Sequence, residues 1–154
     1  MSNTLNRFLG LLLVFFACAA FAKPVFLDGK EVGPSGLTKM QAKQVLVTVL
    51  MHEKFKLAKP GVSINDDLLG PDGKPPHPGY YDFSIGYDSP SAGATEYMGL
   101  FSVSTATGDV WETNLCKRYV FPALKATQKA IIKQTGKTFE SEKRERRGLG
   151  CTDE

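Results

Sequence analysis

The sequence predicts an α+β fold in which an antiparallel meander of three to four strands packs against two helices, with one disulfide. A capped amphipathic helix begins at residue 38, alternating segments joined by short turns fill residues 80–113, and a second helical pattern ends at residue 136. Short turns join antiparallel neighbours, whereas parallel strands need long crossovers. We therefore expect a single domain over residues 23–136, followed by a charged tail over residues 137–154 that the disulfide tethers.

The first 22 residues have the features of a cleavable export signal. A single basic residue, Arg7, precedes an apolar run from Phe8 to Phe16, and Ala20-Phe21-Ala22 forms an A-x-A cleavage pattern. An apolar run of about 10 residues is too short to span a bilayer, which needs about 20. The competing interpretations are a permanent membrane anchor and a lipoprotein signal at Cys18. We expect cleavage after Ala22 and a periplasmic or secreted protein without membrane insertion.

The charge of the expected mature chain is close to balanced. Of 19 basic and 16 acidic residues only Arg7 leaves with the signal, so 18 basic and 16 acidic residues remain and the net charge is +2. This balance does not favour a nucleic-acid partner.

Two cysteines remain after signal removal, Cys116 and Cys151. An even pair in an oxidising compartment favours a disulfide, which would close a loop of about 35 residues and contribute about 3–4 kcal/mol in the chain-entropy model. The alternatives are two free thiols or a metal pair. Two cysteines without a matching histidine pair make a poor zinc site.

The first helix is predicted from Thr38, which forms a capping box with Gln41 three residues later. Beyond the cap, apolar residues follow helical spacing along one stripe: Ala42, Val45, Leu46, Val49 and Leu50. Such a stripe usually faces a core.

The helical periodicity fails after about Phe55. Residues 59–79 hold many prolines and glycines, which predict a loop without regular structure apart from a turn around Ile64–Leu69. A loop of about 20 residues is either functional or a disordered surface excursion.

Three strands are predicted next, over Tyr80–Tyr87, Glu96–Ser104 and Asp109–Thr113. In the first, aromatic and apolar residues alternate with small or polar ones, which indicates one buried face. The second helix follows from Phe121 to Thr135, with Gly136 as its C-cap. Helical spacing predicts its apolar side at Val120, Leu124, Thr127 and Ile131. The mixed charges of Glu140–Arg147 indicate a solvated extension, or else a docking surface for an acidic or zwitterionic partner.

No motif for catalysis or metal binding is complete. His52-Glu53 resembles the start of H-E-x-x-H, but Lys56 stands where the second histidine is needed. No G-x-S-x-G elbow and no phosphate-binding loop is present, and the acidic residues around Asp66 and Asp72 lack calcium-loop spacing. We therefore predict a non-enzymatic protein without cofactor or metal.

Tyrosine and tryptophan are favoured in protein interfaces. The predicted partner-binding residues lie next to loops and on aromatic positions: His77, Tyr80, Asp88, Ser89 and Trp111.

Three segments resemble PepSY-type modules: Thr38-Lys39-Met40-Gln41-Ala42, Phe101-Ser102-Val103-Ser104 and Thr107-Gly108-Asp109-Val110-Trp111. The resemblance covers about half of the mature chain. It implies an exported binding or peptidase-restraining domain without a catalytic set of its own. In size, predicted export and disulfide the chain is also similar to small periplasmic immunity proteins, which neutralise cell-wall-degrading toxins delivered by rival bacteria.

The leading functional hypothesis is a periplasmic inhibitor or immunity protein. It would occlude the active site of a cell-wall or peptide hydrolase with residues 59–79 or 88–95, and its partner would be that protein. Two alternatives remain: a small envelope hydrolase acting on peptidoglycan or peptides, for which a cleft uniting a histidine with carboxylates would be the sign, and a structural envelope component.

Overall fold

The computed structural model describes residues 27–66, 68–91 and 93–151, so the export signal predicted at residues 1–22 lies outside the described residues. In chain order the elements are a short 3-10 helix (Gly29–Glu31), α1 (Lys39–His52), β1 (Val62–Asn65), β2 (Tyr80–Ser89), β3 (Ala94–Ser104), β4 (Val110–Glu112), β5 (Lys117–Arg118), α2 (Pro122–Thr135) and α3 (Lys143–Arg147).

The strands form one antiparallel sheet in the order β1-β2-β3-β4-β5. The predicted α+β meander is confirmed, with five strands where three to four were expected. The additional strands are very short. Strand β5 has two residues, too few for a pattern of alternation, and β1 falls inside the segment that was predicted to lack regular structure.

Helix α1 begins as its sequence predicts. The hydroxyl of Thr38 accepts from the backbone N–H of Gln41, and the Gln41 side chain accepts from the backbone N–H of Thr38. All five residues of the predicted stripe are buried against the sheet and α2. On that side of the sheet they meet Phe83, Ile85, Phe101 and Val103. This side forms the main core.

Helix α2 covers the rest of the main core. Gly136 ends it at φ 66°, the left-handed conformation that its residue type predicts. Leu124 and Ile131 are buried as expected, but Val120 precedes the helix and is 55% exposed. Because Val120 lies outside the helix, helical spacing does not determine where its side chain lies.

The second face of the sheet is also covered, which the alternation in β2 did not predict. Tyr80, Trp111, Leu149 and Cys151 form a smaller buried cluster there. The cover is the tail after α2, which returns across the sheet and is joined to the turn before β5 by the disulfide Cys116–Cys151. The predicted disulfide is therefore confirmed. The charged tail is folded onto the domain rather than only tethered to it.

Candidate functional site

The β2–β3 hairpin projects beyond the body of the protein at its turn. The first five residues of β3, Ala94–Met98, are exposed, and Tyr97 and Met98 are 56% and 37% exposed. At the turn, Thr95 Oγ1 donates to Asp88 Oδ1 over 2.5 Å, and Ser89 Oγ lies 3.2 Å from Ser91 Oγ. These contacts hold the strands together where the sheet no longer supports them.

A β-bulge lies at the base of the projecting half of the hairpin. Ile85 pairs with Gly99 and Gly86 pairs with Tyr97, so Met98 has no partner on β2. A bulge bends its strand and redirects a side chain. Here Met98 lines a groove rather than continuing the alternation of β3.

The groove beside the hairpin has a volume of about 350 Å³. Its apolar part is formed by Phe55, Val62 and Met98, and its rim is charged. The residues that line it are Glu53, Lys54, Phe55, Lys56, Lys59, Val62, Tyr87, Glu96 and Met98. An apolar floor with a few charged groups at the edge is typical of a binding site.

The segment between α1 and β1 is held against the hairpin. Gly61 has φ +90°, and a Cβ at this position would lie 2.5 Å from the carbonyl oxygen of Asp88. This close approach lets Gly61 O accept from the Asp88 N–H over 2.8 Å. Lys59 Nζ lies 3.5 Å from the centroid of the Tyr87 ring. The groove wall is therefore ordered by backbone pairing and by a cation–π contact.

Glu53 connects the groove to β5. Lys117 Nζ lies 2.7 Å from Glu53 Oε2. This hydrogen bond is the main reason that the pKa of Glu53 is lowered, with smaller opposing desolvation and a contribution from His52. The His52 ring stacks on Phe121 at a centroid distance of 3.8 Å. His52 is thus held as a packing residue at the end of α1.

The Pro-rich segment is attached to the other end of the sheet by His77. Its Nδ1 lies 2.7 Å from Asp82 Oδ1, and the Asp82 side chain is only 2% exposed. Ser102 Oγ donates to the same carboxylate oxygen and lies 3.4 Å from His77 Nδ1. Serine, histidine and aspartate therefore meet here, as a hydrolase would require.

The arrangement of these three residues does not fit a catalytic triad. In a triad the serine and the carboxylate contact different nitrogens of the imidazole. Here both lie on the side of Nδ1, Ser102 donates to the carboxylate, and Ser102 is completely buried. Within the described residues, no group of three or more His, Cys, Asp and Glu side chains could hold a metal ion.

Buried carboxylates attach the tail to the second face of the sheet. Glu142 accepts from the hydroxyls of Ser104 and Thr107, and burial raises the pKa of Glu142 despite these hydrogen bonds. Asp109 accepts from Trp111 Nε1 over 3.0 Å and from Arg118 Nε over 2.9 Å. The T-G-D segment contacts the tail through Thr107, which donates to Glu142, and through Asp109, whose Oδ2 lies 3.8 Å from Arg146 Nε. The sequence did not indicate this role.

The predicted contact residues divide between the two ends of the sheet. Asp88 and Ser89 lie at the hairpin turn. His77 binds Asp82 at the other end, and Tyr80 and Trp111 are buried, 4% and 5% exposed, under the tail. The two ends of β2 are separated by about 30 Å at roughly 3.3 Å per residue. As partner contacts all five residues stay predictions, and burial of Tyr80 and Trp111 does not favour those two.

The residues that most clearly mark the hairpin end are Tyr97 and Met98, which were not among the predicted contacts. The exposure of Tyr97 and Met98 depends on how far the β2–β3 hairpin extends beyond the neighbouring strands and on the bulge. The sequence carries no direct signal for either.

These features define a class of protein: a small, disulfide-bonded α+β protein with a projecting hairpin, an adjoining groove and, in the residues that the structure describes, no assembled catalytic centre. The chain belongs to a family of type VI secretion system (T6SS) immunity proteins, because the family model described as "T6SS, Immunity protein Tgi2PP" matches residues 36–143. This membership confirms the prediction of a non-enzymatic protein and does not support the hydrolase alternative.

A solved structure gives a second comparison. The chain is similar to a chain of a structure described as a type VI secretion system effector-immunity complex from Pseudomonas protegens, with 54% sequence identity and a TM-score of 0.79. The similarity covers 82% of this chain and 99% of that chain. No curated protein matches. The comparisons do not support the PepSY resemblance: its three segments mark a helix cap and two strand ends that unrelated α+β proteins can share.

Among the described residues, no helix is both long and apolar enough to cross a membrane.

Proposed function

We propose that this protein is a periplasmic immunity protein that binds a cognate type VI effector, a cell-wall or peptide hydrolase, and occludes its active site with the β2–β3 hairpin. The observation that carries the proposal is the exposed hairpin end, where Tyr97 is exposed and Met98 lines the groove. The family and the similarity to an effector-immunity complex support the existence of such a partner.

The shape of the hairpin end suits occlusion. A two-stranded projection can enter a cleft that a flat surface cannot reach, and its strands are already paired up to Ser89 and Ala94 at the turn. Binding then orders few additional residues, which limits the entropy lost on association. The segment that holds Gly61 against Asp88 adds rigidity at the base of the projection.

The side chains at this end suit a hydrolase cleft. Tyrosine and methionine are enriched in interfaces and contribute large apolar area. Lys54 and Lys56 are exposed beside them. Carboxylates serve many hydrolases as acids and bases, so lysines at the rim complement the charge of such a cleft.

The Pro-rich end is the weaker candidate for this role. Here Leu69 is 65% exposed and lines a smaller pocket of about 140 Å³, and Met40 of α1, which is 74% exposed, follows Lys39 of the same pocket. Since it is about 30 Å from the hairpin turn, one compact cleft cannot contain both ends.

The test is a binding and inhibition experiment on chain 23–154 with its disulfide formed. The effector is captured from the secreted type VI proteins of the producing strain and identified together with the neighbouring reading frames. The binding variant is Tyr97→Ala/Met98→Ala, and the matched control is Met40→Ala/Leu69→Ala at the opposite end. We expect the first to weaken binding at least about 30-fold, the loss of one interface hot spot, and the second to change it less than about 3-fold.

Inhibition is measured with the same variants as release of fragments from purified peptidoglycan and from peptides. Loss of inhibition in parallel with loss of binding supports occlusion. Tight binding without inhibition contradicts occlusion but leaves immunity by another route. Loss of binding in the control variant alone would place the interface at the Pro-rich end.

A further inference from the structure

The charges of the chain are unevenly distributed. Residues 122–151 hold 8 basic and 3 acidic residues, a net charge of +5, whereas residues 27–121 hold 9 basic and 11 acidic residues, a net charge of −2. The positive charge therefore belongs to α2 and the tail, not to the chain as a whole.

Helix α2 presents much of this charge as one row. Lys125, Lys129 and Lys133 are spaced four residues apart and are all exposed, while Leu124 and Ile131 face the core. Residues four apart lie on the same face of a helix, about 6 Å from one another. The helix contains no acidic residue.

Lys137 follows the C-cap of α2 and adds one more exposed cation to this row. The cations of α3 belong to a different surface, because the tail covers the second face of the sheet whereas α2 covers the main core. Two of them are also paired: Lys143 Nζ lies 3.5 Å from Glu140 Oε1, and Arg144 lies 3.3 Å from Glu145 Oε1. We refer to Lys125, Lys129, Lys133 and Lys137 as the basic face.

The lysines of α2 have no structural task that would explain them. Within the described part of the chain, Lys125, Lys129 and Lys133 take part in no ion pair. Three unpaired cations on one helix repel each other and slightly weaken it. Their common orientation suggests an external anionic partner.

The chemistry of the face favours a diffuse anionic surface over a folded protein. Protein interfaces are depleted in lysine and use aromatic anchors or pockets. The residues between the α2 lysines include Ala126, Ala130 and Thr127, which offer neither. Flexible ammonium groups on a convex helix suit a layer of mobile phosphate headgroups, which can rearrange to meet each charge.

We propose that the basic face binds the anionic phospholipid headgroups of a membrane surface, without insertion. The basic face excludes Tyr97, Met98 and the groove of the hairpin end, so an effector and a membrane engage different side chains. This proposal does not depend on the identity of any effector.

The test uses the disulfide-bonded chain 23–154 and sedimentation with vesicles of phosphatidylethanolamine and phosphatidylglycerol at low ionic strength. Vesicles of phosphatidylcholine are the neutral control. The basic-face variant is Lys125→Gln/Lys129→Gln/Lys133→Gln. The matched variant, Lys54→Gln/Lys56→Gln/Lys74→Gln, removes the same charge from exposed lysines outside the face.

We expect the wild type to sediment with the anionic vesicles only, and to be released as salt screens the charges. The partition coefficient of the basic-face variant should be roughly 100-fold lower, because each lysine near an anionic surface contributes about a factor of five to membrane affinity. The matched variant should lower it several-fold less. Thermal unfolding of each variant checks that it is folded.

Three results would overturn the proposal. Wild-type protein that stays in solution with anionic vesicles shows that the face binds no membrane. Equal losses in the two variants show that net charge, not the face, is responsible. Equal binding to phosphatidylcholine shows that the attraction is not to anionic headgroups.

Discussion

Gly108 lies between β3 and β4 with φ +69°, and a Cβ there would lie 2.5 Å from Ile131 Cδ1 of α2. Two separate requirements thus select glycine: a left-handed backbone and the close packing of α2. Gly73 offers a matched comparison, because its φ is +74° but a Cβ would meet nothing within 4 Å.

We therefore predict that Gly73→Ala lowers the free energy of unfolding by about 1 kcal/mol, the cost of a left-handed alanine. Gly108→Ala should lower it by about 2–4 kcal/mol, because overpacking against Ile131 is added. Urea unfolding followed by far-ultraviolet circular dichroism measures both. Equal losses would show that α2 moves aside at no cost.

Glu142 makes stability depend on pH. Burial raises the pKa of its carboxyl above the ordinary 4.5, and the hydroxyls of Ser104 and Thr107 oppose the rise. A raised pKa means that the folded state holds the proton more tightly. The stability contributed by this group is full below pH 4.5 and is lost as the pH rises through the folded pKa.

Glu142→Gln removes this titration and keeps an amide oxygen that can accept. We predict that the free energy of unfolding of the wild type, measured relative to the variant, falls as the pH rises from 4.5 to neutral. Thermal unfolding across this range tests it. The same measurement on Glu140→Gln, which changes an exposed carboxyl of the same segment, is the control. A slope of the opposite sign for Glu142→Gln would mean that Glu142 is stabilised as the anion.

At the scale of elements, the disulfide and the tail act together. Cys151 joins Tyr80, Trp111 and Leu149 in the smaller cluster, and Cys116 lies in the turn before β5. The bond closes a sequence separation of 35 residues. Without it, only the buried contacts of Glu142, Leu149 and their neighbours hold the tail on the sheet.

We predict that Cys116→Ala/Cys151→Ala lowers the free energy of unfolding by about 3–4 kcal/mol. Released tail should expose Trp111, which is now 5% exposed, and shift its fluorescence to longer wavelength. Far-ultraviolet circular dichroism should retain the signal of α1 and α2. Reduction of the wild type should reproduce the variant; an unchanged spectrum in both would mean that the tail stays docked without the bond.

The elements that could be predicted are those whose local chemistry agrees with their tertiary surroundings. Thr38 and Gln41 cap α1 in the sequence and in the structure, and Gly136 ends α2. Strand β1 could not be predicted, because its few residues become a strand only by pairing with β2. Tertiary pairing there overrides the surrounding prolines and glycines.

The candidate site was only partly predictable for the same reason. Asp88 and Ser89 are polar turn residues and were placed at the hairpin turn. The exposure of Tyr97 and Met98 depends on how far β3 extends past β4, and the burial of Trp111 depends on a tail that returns from about 35 residues away. Both dependences involve residues that are far apart in the sequence, so neighbouring residues alone do not indicate them.

At the scale of the whole molecule, the proposed binding surface and a buried contact that supports stability lie at opposite ends of the sheet. The His77–Asp82 contact joins the Pro-rich segment to the sheet, and its carboxylate is almost fully buried. Removing His77 takes away one of the two hydrogen-bond partners of this carboxylate and leaves Ser102 as the other, and the loss of one partner of a buried acceptor typically costs about 1–3 kcal/mol. At the hairpin end, Tyr97 and Met98 are exposed and contribute little to the core.

We therefore predict that stability and effector affinity can be changed separately, by substitutions at opposite ends of the sheet. His77→Ala should lower the free energy of unfolding by about 1–3 kcal/mol, from the lost partner of Asp82, and leave the effector affinity of the folded protein within about threefold. Tyr97→Ala/Met98→Ala should change stability by less than about 0.5 kcal/mol, as is usual for surface substitutions, while binding is lost. Urea unfolding and titration with the effector measure the two quantities on the same samples. If His77→Ala abolishes binding in protein that remains folded, the two ends are coupled through the sheet, and the Pro-rich segment has to be counted as part of the interface.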